Sequence, residues 1–140
     1  MVGHHIMKHD QIIRAKRGAA LMEFVMCLPV LLVITLGTLE TCRMIYLRQS
    51  LKLAAYECAR LAIVPGVDSQ MVQDQCDVFL LGRGIRGYTF TCTPADPRDA
   101  IYGELVTTNV SMKAESNAIV GAWFYRGKTL SESVSIMAEY

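Results

Sequence analysis

Between Ala19 and Leu39 apolar residues run almost unbroken, with one charge, Glu23, in 21 positions. Wound as an α-helix, that run spans ~31 Å, about the hydrocarbon thickness of a bilayer. Beyond it the pattern turns amphipathic. Leu47, Leu51, Ala54, Ala55, Cys58 and Ala62 share a single helical stripe, and Arg48, Lys52, Glu57 and Arg60 fall outside it. No turn signal appears from Leu39 to Ile63, and the first stop is Pro65-Gly66. The pattern predicts one helix from about residue 16 to 63, ~70 Å long, with a membrane half and a half packed on a domain. The small residues of the stripe allow another element to approach closely.

A second, shorter helix is predicted over Val67 to Leu81, capped by Asp68 or Ser69, with Val72, Cys76, Phe79 and Leu80 as its apolar face. Gly82, Gly84 and Gly87 then break the chain. The run "GRGIRG" lacks the Lys-Ser/Thr of a phosphate loop and opens no helix, so it reads as a flexible turn. From there the period changes to two. Tyr88, Phe90 and Cys92 alternate with Thr89 and Thr91. Val106, Thr108, Val110, Met112 and Ala114 share one face of a second strand. Leu130, Val134, Ile136, Ala138 and Tyr140 share one face of a third, with Glu132 as the exception. These are half-buried antiparallel strands, the first two joined through the polar loop "TPADPRD". The fold class expected is α+β: a long N-terminal helix carrying a small head of a second helix and a three-stranded antiparallel sheet. Between the last two strands lies "NAIVGAWFYRG". Its Ile119, Val120, Trp123 and Phe124 either cover the open edge of the core or form an exposed patch that docks on another protein.

Composition sharpens this picture. Apolar residues make up 52% of 140, with eight Met, which is high for a soluble domain and leaves room for one small head. Net charge is +1, so nothing points to a nucleic-acid partner. The charge is uneven, however. Lys8, Arg14, Lys16 and Arg17 precede the apolar run against Asp10 alone, and acids outnumber bases after it. Basic residues gather on the cytoplasmic side of a span, so the N-terminus is expected inside and the head outside.

His4, His5 and His9 are the three histidines, all ahead of the apolar run, so no metal or base site built on His is expected in the head. Cys27, Cys42, Cys58, Cys76 and Cys92 show no CxxC spacing, and no structural metal or cofactor is expected. In an oxidising compartment some should pair. Cys76 and Cys92 flank the glycine-rich turn, which favours a bridge between them. Cys58 with Cys76 is the rival, since two antiparallel helices joined near Pro65 would bring them level. Cys27 reads as a small apolar residue in lipid.

Glu23 needs explaining. A signal peptide would end in a small-residue cleavage site, and Thr38-Leu39-Glu40-Thr41 fits that badly. A plain signal anchor explains the length and the basic flank but not a carboxylate within the span. One account has Glu23 snorkel to the headgroups; the other gives it a partner. The run "KRGAALMEF" resembles the prepilin peptidase site: a basic leader, Gly, small apolar residues, then Glu at the fifth position after the cut and an aromatic. The longer stretch from Arg17 to Ala62 resembles the TadE-like minor pilins of tight-adherence pili.

That resemblance implies cleavage between Gly18 and Ala19 on the cytoplasmic face. Residues 1–18 would then be a discarded leader, 19–40 the transmembrane part of the helix, and 41–140 the head. Glu23 would pair with the new Ala19 ammonium of a neighbouring subunit, with Phe24 completing the motif and Pro29 loosening the helix within the span. The physics agrees, since a buried carboxylate needs a partner and cleavage creates one. The resemblance further implies a non-enzymatic pilin or pseudopilin of the bacterial inner membrane, with its head periplasmic, serving adhesion or secretion. Its partners would be prepilin peptidase, major and minor pilins, an assembly platform and membrane lipid. An uncleaved single-pass binding or sensor module is the alternative. An anchored enzyme finds little support, because the head shows no nucleophile motif and no convergent carboxylate pair.

Overall fold

A computed structural model describes residues 3–119 and 125–139, with side chains from residue 16 onward. The chain divides into two compact units, Met1–Thr38 and Leu39–Tyr140. Helix α1, Gly3–Ala62, contributes to both. It starts well before residue 16, because no proline or glycine interrupts residues 4–17 and a helix once nucleated propagates through such a run.

In the first unit, α1 continues through Pro29. Its apolar side chains from Leu21 to Leu36 are exposed all round, and the helix contains a stretch long and apolar enough to cross a membrane. Two polar side chains in that stretch are satisfied locally. The hydroxyls of Thr35 and Thr38 donate to the carbonyl oxygens of Leu31 and Ile34, each at 2.8 Å, so neither needs water.

The second unit is α+β. After α1 come α2 (Ser69–Gly82), β1 (Tyr88–Thr93), β2 (Leu105–Lys113) and β3 (Thr129–Met137), with short 3₁₀ turns at Pro97–Asp99 and Ala114–Asn117. The sheet is antiparallel in the order β1-β2-β3. The predicted stripe of α1 is the core: Leu47, Leu51, Ala54, Ala55, Cys58 and Ala62 are fully buried. Val106, Thr108, Val110 and Met112 are buried on the inner face of β2, and Ala114, which opens the 3₁₀ turn after it, is buried in line with them. With alanines on the helix the central strand sits close, and the Thr108 hydroxyl reaches the Ala55 carbonyl at 2.7 Å. The outward face of the sheet is rich in hydroxyls, with Thr107 bonded to Ser135 at 2.8 Å and Ser131 to Asn109 at 2.9 Å.

Asp68 is the N-cap of α2, accepting from the Met71 N–H at 2.8 Å. The turn expected in "GRGIRG" has a defined geometry. Gly84, at φ +70°, takes the left-handed position, its N–H donating to Leu81 and the Ile85 N–H donating to Leu80. That is a Schellman stop, and it buries Ile85 completely against the helix it ends. Glu132, the exception on β3, faces inward with its neighbours and is matched by Arg48 of α1 at 2.6 Å.

Candidate functional site

The sequence points to two places, one in each unit. In the first unit, Gly18, Ala19, Glu23, Phe24 and Pro29 lie in order along α1. All five are exposed. A side chain added at Gly18 would meet nothing within 4 Å, so the glycine answers no packing demand here. Ala19 and Glu23 are one turn apart on one face, ~6 Å along the axis. Among the described residues Glu23 has no hydrogen-bond or ion-pair partner. A carboxylate on an otherwise apolar helix surface is therefore left for something outside the chain to satisfy. Lys16 and Arg17 flank the apolar stretch on its N-terminal side.

In the head, a polar knot missed by sequence reasoning holds the last crossing of the chain. Glu40 is fully buried. Its carboxylate accepts from the Ile119 N–H at 3.3 Å, while Arg43, one turn on, donates to the Asn117 carbonyl at 3.2 Å. The Asn117 side chain accepts from the Arg86 N–H at 3.0 Å and donates to the Arg86 carbonyl at 2.8 Å, a reciprocal pair that splices the turn after α2 to the end of β2. Tyr125 returns to α1 with its hydroxyl 3.3 Å from that of Thr41. One signal for this knot was in the sequence: a carboxylate and a guanidinium three residues apart, Glu40 and Arg43, just past the apolar run. Of the four apolar residues expected nearby, Ile119 is 65% exposed and does not cover the core. Val120, Trp123 and Phe124 lie outside the described residues.

The five thiols are free, and two of them meet. Cys58 and Cys76 are fully buried and neighbour one another in the core. The adjacent Cys76 thiol and burial push the Cys58 thiol well above its ordinary range, while the Cys58 thiol draws Cys76 down. Cys92 is half-buried nearby and raised by burial. Beside them Tyr88 donates its hydroxyl to Asp77, tying β1 to α2, and burial together with that bond raises its pKa.

Residues 18–60 match the family model described as TadE-like protein. The match starts at Gly18 and ends at Arg60, so it takes in the apolar stretch and most of the core-forming stripe and none of the strands. No curated protein and no solved structure matches the chain.

Proposed function

We propose that this chain, TadE-like over residues 18–60, is a membrane-anchored minor pilin or pseudopilin of a tight-adherence pilus, a structural subunit rather than an enzyme. Prepilin peptidase cuts between Gly18 and Ala19 on the cytoplasmic side. The leader is lost, residues 19–40 hold the subunit in the inner membrane, and the head from residue 41 faces the periplasm. Glu23 carries the reading. It is exposed, with no partner among the described residues, on an apolar helix surface one turn from Ala19, in a segment whose family match begins at Gly18. Cleavage gives Ala19 an ammonium group, and a neighbouring subunit's Glu23 neutralises it in apolar surroundings. The pair sets the axial register of one helix against the next. Phe24 packs beside it, and Pro29, with no N–H of its own, leaves a carbonyl that neighbouring helices satisfy.

The partners are therefore the peptidase, the other pilins of the filament, the inner-membrane platform that assembles them and the surrounding lipid. The burial of Cys58 and Cys76 side by side in the core supports that pairing over Cys76 with Cys92 for a head disulfide in an oxidising compartment.

N-terminal sequencing and intact mass of the chain extracted from wild-type membranes test this reading. A mature chain beginning at Ala19 is expected. A chain that keeps residues 1–18 in cells with active peptidase would leave an uncleaved single-pass binding module in its place.

A further inference from the structure

The head carries a groove at one edge of its sheet and an apolar ridge at the other, and the two match. The groove runs between α1 and the edge strand β3. Ile45, Gln49, Lys52, Leu53 and Tyr56 line it from the helix and Val134 from the strand, in two adjoining cavities of about 420 and 400 Å³. Ile45, Leu53 and Tyr56 are all exposed. Arg48 and Glu132 neutralise one another on its wall at 2.6 Å. Lys52 has no ion-pair partner among the described residues, so the groove presents one open cation on an apolar floor.

The ridge is the outer face of α2. Its inner face is spent on the core through Val72, Cys76 and Leu80. Yet Met71, Val78 and Leu81 point outward at 54%, 71% and 57% exposure, in one stripe with Asp74. Asp74 is exposed and, among the described residues, accepts only from Gln70, at 2.9 Å. A solvated helix face has no reason to collect three large apolar residues around one acid. Helix α2 packs at the β1 edge and the groove opens at the β3 edge, so ridge and groove cannot meet within one chain.

Spacing fixes how they would fit between chains. The groove from Ile45 to Tyr56 is ~17 Å long and the ridge from Met71 to Leu81 ~15 Å. Laid antiparallel, Met71 comes to Tyr56 and Asp74 to Lys52. Seven residues on in each helix, Leu81 comes to Ile45. The acid and the cation coincide in this direction and not in the parallel one, where Asp74 falls near Arg48, already paired to Glu132.

We propose that α2 of one copy docks antiparallel into the α1–β3 groove of a second copy, with Asp74 meeting Lys52. The contact uses different surfaces on the two copies, so it is heterologous and leaves each head a free groove or ridge for the next copy instead of closing as a two-fold pair. It does not depend on removal of the leader and is testable on the uncleaved chain.

The test mixes isotopically heavy and light copies of the full chain in excess detergent micelles and couples adjacent carboxylates and amines with a carbodiimide. A heavy–light link between the Asp74 and Lys52 peptides is expected. Lys52→Glu or Asp74→Lys alone should lower heavy–light association about fivefold, the scale of one ion pair at a partly desolvated contact. The double variant should restore it with amine and carboxylate exchanged. All the changed residues are exposed, and unchanged far-UV circular dichroism confirms that the heads remain folded. Absence of a heavy–light link, or a double variant no better than either single one, overturns the proposal. So does a groove that links only to a different pilin when one is supplied.

Discussion

Thr108, at the centre of β2, donates its hydroxyl to the backbone carbonyl of Ala55 on α1 at 2.7 Å, in a place no water reaches. A strand's side chain reaches a carbonyl already inside a helix ladder where the helix surface is low, and Ala54, Ala55 and Ala59 make it low here. The contact therefore marks how closely sheet and helix approach. Thr108→Val keeps the shape and loses the bond. It should destabilise the head by about 1 kcal/mol, read as a lower midpoint in thermal unfolding followed by circular dichroism. An unchanged midpoint would mean the bond contributes nothing net.

Asn117 should matter more. Its side chain satisfies both backbone groups of Arg86 through two part-buried hydrogen bonds, and Asn117→Ala removes both. A loss of about 2 kcal/mol is expected. Arg48→Ala, by contrast, removes a partner that is 71% exposed, and a double-mutant cycle with Glu132→Ala should return a coupling of about 0.5 kcal/mol. Denaturant titration of the four chains of the cycle and of Asn117→Ala measures both.

Gly18→Leu separates processing from folding. An added side chain meets nothing there, so the helix should form and insert as before. The peptidase, which needs close approach to the backbone, should leave the chain uncut, and intact mass shows it. Glu23→Ala should do the reverse, remaining cleaved while co-purifying less with partner pilins. Equal recovery of partners with both carboxylate-bearing and alanine chains would remove the register role.

Oxidation should close Cys58 onto Cys76. Two buried neighbouring thiols lose two protons and two electrons to a disulfide oxidant as the bond between them forms. Peptide mapping without reductant should find that link, and a Cys76–Cys92 peptide in its place would show the wrong pair was chosen.

Tyr88 gives a prediction in pH. Burial and the neighbouring Asp77 carboxylate raise its pKa, so the fold favours the neutral phenol. The stability this provides is fully present below the ordinary tyrosine range, near pH 10, and is lost as pH rises through the higher folded value. Of the six tyrosines, one phenol should therefore resist ionisation in an ultraviolet titration, and Tyr88→Phe should remove that late step.

The sequence by itself determined the elements, because periodicity is local. A run from Ala19 to Leu39 with one charge, a stripe from Leu47 to Ala62 and three alternating strands each announce their partner medium within a few residues. Tertiary structure decided what those elements do to one another. Glu40 looked like the polar end of an apolar run and is a buried acceptor for Ile119, across 79 positions. Asn117 looked like a loop residue and holds Arg86. Glu132 looked like a lapse in an apolar face and is the mate of Arg48. Ile85 looked like part of a loose glycine run and plugs the end of α2. For Glu40, Asn117 and Glu132 the partner is far away in the chain, and a hydrogen bond or ion pair between distant residues leaves no period to read. The same holds for the groove beside Lys52 and the ridge around Asp74, which exist only once α1, α2 and β3 have been packed at their places on the sheet.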